Sequence, residues 1–326
     1  MRFVHPISFC GRVPMRNTIS PMFCGRISSR STWIRRLKAL TEDKDDSEGY
    51  KEMKTRVTFG VVGAIFVALA LFVFPPIVAQ LCMMVLSVLA AQEFTAAVAG
   101  QKNRGLQAAA MLLALGMSWA SARDSYGIYF VRGMVLIGVV VLFGILLRCH
   151  KKIGFSEIAG AFFGGIVIPY LLMSIIRMFT MSGGNGGLYV LIPLLAAWGS
   201  DTFALFAGMA FGRHKLAPVI SPKKTVEGSI GGVAGAVVLL VVYGIAVNAA
   251  AHAGLSVLLC IAVGVFGAVL GQIGDLSFSI VKRKSGIKDY GKLFPGHGGV
   301  LDRFDSVIFV APAVELLLHL FTTLGI

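Results

Sequence analysis

From Leu255 to Ile273 the chain reads LSVLLCIAVGVFGAVLGQI, 19 residues without a charged side chain, and Gly274-Asp275 follows directly. A helix needs about 20 apolar residues to cross the hydrocarbon core of a bilayer, so this run reads as a membrane helix. Working outward, the same signal gives expected spans at Val57 to Phe74, Ile77 to Ala99, Leu106 to Ala122, Val131 to Leu147, Phe155 to Ile176, Leu188 to Phe211, Ser229 to Ala249, Leu255 to Ile273 and Phe304 to Leu324. The expected fold class is all-α, a polytopic membrane protein of about nine helices, with an eight-span variant carrying one re-entrant segment as the alternative. The whole chain, 326 residues with 56% hydrophobic and 14% charged and a mean hydropathy of +0.80, is too apolar to keep its surface in water.

Thirty Lys and Arg against 16 Asp and Glu give a formal charge of +14. They stand in short clusters between apolar runs instead of covering one soluble face, which argues against nucleic acid and fits anionic lipid and phosphate. Basic residues in short loops favour the cytoplasmic side. With the N-terminus inside, Lys102 and Arg104, then Arg148, Lys151 and Lys152, then Arg213, Lys215, Lys223 and Lys224, and then the loop from Lys282 to Arg303 all fall inside, leaving only Arg123, Arg132 and Arg177 outside. The five scattered cysteines form no CxxC pair and no zinc-like spacing, so neither a disulfide framework nor structural zinc is expected.

The segment from Met1 to Leu40 holds eight Arg or Lys and no acid, the composition of an organelle transit peptide, while Met53-Lys54-Thr55-Arg56 stands before the first apolar run as a bacterial start would. Residues 1–52 are therefore expected to be a disordered or misassigned extension, with targeting as the alternative, and residues 53–326 the membrane-embedded domain.

Two inside connections are richer in chemistry than the rest. In the second, Asp275 closes one expected span and Asp302 opens the next. A carboxylate beside an apolar run is costly there and more often functional than accidental. Two such groups brought together would repel unless a cation lay between them, and oxygen-only ligands beside phosphate point to Mg²⁺. Between them lie Lys282, Arg283, Lys288 and Lys292 and a glycine-rich turn whose backbone N–H groups could hold anionic oxygens. In the first connection, Ser221-Pro222-Lys223-Lys224 precedes Thr225, a candidate N-cap, and Glu227, so the two lysines would flank a helix start suited to phosphate. Within the spans, Glu93 and Asp201 either line a polar cavity or are satisfied by neighbouring helices. Glu315 and His319 are placed to pair with each other, and Gly231, Gly232, Gly235, Gly264 and Gly267 to let helices pack closely.

The segment Ser279-x-Val281-Lys282-Arg283-x4-Lys288-Asp289-x-Gly291-x2-Phe294-Pro295-x-His297-Gly298-Gly299-Val300-x-Asp302-Arg303-Phe304-Asp305 resembles the signature of the phosphatidate cytidylyltransferase (CDP-diacylglycerol synthase) family at every defining position. Ser221-Pro222-Lys223-Lys224-Thr225-x-Glu227-Gly228 matches as well, with Val226 where many members carry an aromatic residue. The resemblance extends more loosely from about Met53 to the C-terminus. It implies a nucleotidyltransferase joining CTP to phosphatidic acid to give CDP-diacylglycerol and pyrophosphate, with Mg²⁺ and sometimes a monovalent cation such as K⁺. It also implies Asp275 and Asp302 as metal ligands, with Ser279, Lys282 and Asp305 lining the same cavity.

From the charge of the substrates, Lys223, Lys224, Lys282 and Arg283 are candidates for phosphate contacts, Asp305 or His297 for positioning, and Gly298 and Gly299 for the anion-holding turn. The expected partners are CTP, phosphatidic acid and the bilayer, with a homodimer left open. The expected location is a bacterial inner membrane with a cytoplasmic site, a plastid or mitochondrial membrane being the alternative. The rival readings are an ion or lipid transporter, for which no inverted repeat is evident, and a CTP-dependent lipid kinase. The chain contains no GxxxxGK[ST] segment, so ATP-driven transport has no support.

Overall fold

The computed structural model describes residues 71–324 apart from 124–126, 182–185 and 294–297, together with Gly63 and Leu69. The chain divides into two units, Met1–Glu52 and Met53–Ile326; the first, the expected extension, lies outside the described residues.

Proline opens the first described long helix, α1 (Pro76–Ala99), where its missing N–H costs nothing, and Gly100 ends it with φ +79°. Next come α2 (Arg104–Ser121) and α3 (Gly127–Cys149). The span Phe155–Met181 is interrupted: α4 (Phe155–Phe162), a π turn (Phe163–Val167), α5 (Ile168–Leu172) and α6 (Ser174–Met181) follow one another. The π turn carries Gly164 and Gly165, and a Cβ on Gly165 would come within 2.9 Å of the Ala110 carbonyl of α2, so only glycine lets these backbones approach.

Beyond it stand α7 (Gly186–Phe211), a β-hairpin of β1 (Lys215–Ala217) and β2 (Ser221–Thr225), α8 (Val226–Ala251), α9 (Val257–Lys284), the short α10 (Leu301–Phe304) and α11 (Val307–Leu324). The hairpin is antiparallel, with Lys215 opposite Thr225 and Ala217 opposite Ser221. Thr225 then caps α8 as expected, its Oγ1 accepting the Gly228 N–H at 3.1 Å.

Among the described residues, seven helices are long and apolar enough to cross a bilayer, and each coincides with an expected span. Leu106 to Ala122 is also helical, as α2, but this 18-residue helix carries Arg104 and Gln107 and is not one of the seven. The first expected span, Val57 to Phe74, falls mostly outside the described residues.

The helices pack into one large core drawn from α1, α5 to α9 and α11, and a smaller one from α2, α3 and α4. Outward-facing Leu205, Phe206, Val238 and Val242 are 59–62% exposed, which suits lipid contact. The glycines of α8 and α9 pack as expected: Gly231 faces Ala207, Gly235 faces Phe203, and Gly264 lies against the Val237 backbone.

Three sequence expectations need correction. Asp275 does not close a helix, because α9 continues to Lys284 before Gly286 turns the chain at φ +69°. The first connection is a hairpin instead of a plain loop. Glu315 does not pair with His319: its carboxylate takes Arg177 Nε at 2.6 Å and Nη2 at 2.8 Å, and the guanidinium also lies 4.7 Å over the Tyr170 ring. A bidentate guanidinium outcompetes an imidazole one turn away.

Candidate functional site

Alternation of the helices sends the C-terminal ends of α1, α7 and α9 and the N-terminal ends of α8 and α11 to one end of the bundle. The chemistry collects there. On α9, Asp275, Ser279 and Lys282 recur at three- and four-residue spacing and share a face. The short α10 carries Asp302, the corner between it and α11 carries Asp305 and Ser306, β2 delivers Lys224, and α7 delivers Asp201.

Lys282 is the hub. Its ammonium donates to Asp302 Oδ1 at 3.0 Å, lies 3.9 Å from Asp305 Oδ2, and sits 5.5 Å above the Tyr290 ring. The other oxygen of Asp302, Oδ2, accepts the N–H of Tyr290 at 2.8 Å and of Gly299 at 3.0 Å, so this side chain, 4% exposed, ties the loop together. Lys224 makes an ion pair with Asp275. Ser306 Oγ lies 3.4 Å from Asp201 Oδ2 and 3.3 Å from Asp305 Oδ1, and its N–H donates to Asp305 at 2.8 Å. Gln272, a turn before Asp275, bonds the Ser229 hydroxyl and donates to the Ser229 carbonyl at 3.2 Å, fixing α9 against α8.

Four carboxylates thus share two ammonium groups. Burial pushes the Asp305 carboxyl up to about 7, the Asp275 and Asp201 charges add to the rise, and Lys282 opposes it. Burial likewise raises the Tyr290 phenol, whose hydroxyl donates to the Phe278 carbonyl at 2.9 Å.

The structure brings together Lys224, Asp275, Lys282, Asp302 and Asp305 of the expected set, with half-buried Ser279 on the same face of α9. Lys223 and Arg283 are exposed and stand outside the cluster. Gly298 turns the chain at φ +84°, and Gly299 gives its N–H to Asp302 instead of leaving it free for an anion. His297 lies outside the described residues.

Four residues outside that set join the site: Asp201 and Glu93, which the sequence offered as cavity-lining or helix-satisfied carboxylates, and Tyr290 and Ser306. Glu93 of α1 accepts the Val300 N–H at 3.1 Å and the Leu301 N–H at 2.8 Å. Tyr290 lies within the signature, between its acidic positions, and Ser306 directly follows it. A carboxylate inside an apolar span was the visible signal for Glu93 and for Asp201, but which partner each meets depends on helix packing.

Among the described residues, no three His, Cys, Asp or Glu side chains converge tightly enough to hold a metal by themselves. The donor set nevertheless fits Mg²⁺, which takes one or two carboxylates and completes its shell with water and substrate phosphate. Excess carboxylate around two ammonium groups is an arrangement a divalent cation relieves.

Residues 54–321 match the cytidylyltransferase family. Similar proteins include a phosphatidate cytidylyltransferase from Bacillus subtilis (strain 168), 31% identical over 282 residues that cover 83% of this chain and 99% of that protein. Another from Staphylococcus epidermidis is 35% identical over 188 residues, 56% of this chain and 71% of the relative. A third, from Staphylococcus haemolyticus, is 43% identical over 140 residues, 43% of this chain and 52% of the relative.

Proposed function

The chain belongs to the cytidylyltransferase family, and from that premise we propose that it transfers CMP from CTP to phosphatidic acid, giving CDP-diacylglycerol and pyrophosphate. The observation that carries the reading is the cluster of Lys224, Lys282 and four carboxylates, most of them half-buried, at one end of a bundle of membrane helices. A lipid phosphate and a nucleotide triphosphate can meet there without the acyl chains leaving the bilayer.

A phosphatidate oxygen attacks the α-phosphorus of CTP in line, forming the new P–O bond as the bond to the β-phosphate oxygen breaks and pyrophosphate departs. Both reactants are anions, and the nucleophile is already ionised near neutral pH, so the work is charge neutralisation and positioning. Mg²⁺, when bound through Asp275 and Asp302, supplies Lewis-acid stabilisation of phosphate charge. Lys224 and Lys282 exchange their carboxylate partners for substrate phosphates, and as charged donors in a water-poor site they act more strongly than they would in bulk solvent. Ser279 donates from the same helix face, Asp305 orients Lys282, and exposed Lys223 and Arg283 attract the nucleotide at the entrance. The turn at Gly298 and Gly299 borders the phosphates, and His297 is a positioning candidate from its place in the signature alone. A monovalent cation beside Mg²⁺ and a homodimeric assembly belong to the same proposal.

The multi-pass chain is assigned to a bacterial cell membrane with this site on the cytoplasmic face; the distribution of Lys and Arg and the bacterial relatives support that assignment.

The test is release of labelled pyrophosphate from γ-labelled CTP by the purified protein, with and without phosphatidic acid and Mg²⁺, beside Asp302→Ala. Pyrophosphate and a CDP-lipid are expected only with both additions, and the variant is expected to lose activity by about a hundredfold or more. Labelled phosphatidate phosphate with release of CDP would instead reveal a kinase. Intact CTP with folded protein would remove the enzyme reading.

A further inference from the structure

We propose that Glu93 is a positioning residue, whose carboxylate fixes the turn at residues 299–301 and thereby sets the position of Asp302, the carboxylate read as a Mg²⁺ ligand; this rests on the reading of the site given above. The three successive N–H groups of Gly299, Val300 and Leu301 stand before or within the first turn of α10, where a helix offers them no carbonyl partner. Left buried and unpaired, each would destabilise the turn. Asp302 takes the first, and the two oxygens of Glu93 take the second and third, at 3.1 and 2.8 Å. Glu93 arrives from α1, more than 200 residues away in sequence.

Its carboxylate reaches the turn because two glycines make room. A Cβ on Gly291 would fall 2.1 Å from Glu93 Oε1, and one on Gly299 would fall 2.3 Å from it. The next residue of α1 grips the same loop from its apolar side: the buried Phe94 ring lies 6.3 Å from Tyr290 and 6.0 Å from Phe278. Tyr290 in turn gives its N–H to Asp302. Consecutive residues of one membrane helix therefore hold both halves of the loop that presents Asp302.

A space-filling role and a positioning role separate in Glu93→Gln. The amide has the same shape but replaces one acceptor with an NH₂ group, which must face one of the two N–H donors. The full chain in detergent is examined by hydrogen–deuterium exchange without substrates, and by pyrophosphate release across a Mg²⁺ series. For Glu93→Gln, exchange in the peptide covering residues 298–305 is expected to quicken about tenfold or more. The half-saturating Mg²⁺ concentration is expected to rise and kcat to fall by a similar factor, while KM for phosphatidic acid stays near wild type. Gly299→Ala, which leaves Glu93 intact but pushes its carboxylate out, reproduces the same pattern and decides the matter if Glu93→Gln fails to fold. Wild-type exchange together with wild-type Mg²⁺ dependence in either folded variant overturns the proposal. If the wild-type protein makes no pyrophosphate, the functional reading fails, and the exchange measurement alone still decides whether Glu93 holds the turn.

Discussion

Burial lifts the Asp305 carboxyl to about 7, the Asp275 charge pushes the same way, and Lys282 and the Ser306 N–H pull it back. The ordinary value is 3.8, so the folded protein holds this proton more tightly than the unfolded chain does. The stability it contributes is complete below about pH 4 and is lost as pH rises through about 7. In metal-free buffer, the melting temperature of the wild type is expected to fall from about pH 5 to about pH 8 relative to Asp305→Asn, which has no proton to lose there. A difference that does not change over that interval would show that the folded carboxyl is already ionised throughout it, as in the unfolded chain. At this scale, Asp275, Asp302 and Asp305 were legible in the sequence because a carboxylate beside an apolar run is expensive unless it is used. The hub role of Lys282 was not, since a lysine in a cytoplasmic loop is also what membrane topology alone requires.

A single helix, α9, carries Asp275, Ser279 and Lys282, and it does so because it outlasts the bilayer-length apolar run that announced it. Bilayer thickness limits the apolar run, but a helix stops only where its backbone is interrupted, here at Gly286. Phe278 and Val281 keep the extension packed on the core while the polar residues face the site. About halfway along α11, Arg177 and Glu315 tie α6 to α11, with side chains 21% and 13% exposed. Glu315 is ten residues past Asp305, about 15 Å along a helix. Arg177→Met alone strands the carboxylate and is expected to destabilise the fold by about 3 kcal/mol, read as earlier thermal unfolding in detergent. Adding Glu315→Leu should recover most of that loss and leave pyrophosphate release close to wild type. Full stability in the single variant would show that lipid headgroups or water satisfy Glu315 as well as arginine does.

For the molecule as a whole, one end of the bundle holds the hairpin, Lys224 and the carboxylate cluster, so a nucleotide must approach from that side. In proteoliposomes of mixed orientation, trypsin added outside should cut at exposed Lys223 in the same fraction of molecules that use externally added CTP. Pyrophosphate release should disappear with that fraction and return when sealed vesicles are opened to expose the protected molecules. Cleavage without loss of CTP-supported activity would place the nucleotide entrance elsewhere. The sequence by itself determined the solvent of this protein, because bilayer thickness writes itself as runs of about 20 apolar residues, and it determined the chemistry, because the carboxylate, lysine and glycine positions of the signature are local in the chain. Tertiary structure decided the partners. Glu93 with the turn at residues 299–301, Arg177 with Glu315, and Lys224 with Asp275 each join residues far apart in sequence. Apolar periodicity is nearly the same on every face of a lipid-solvated helix, so it does not say which face meets which neighbour; that is set by where glycines such as Gly165, Gly264 and Gly299 let backbones and carboxylates come close.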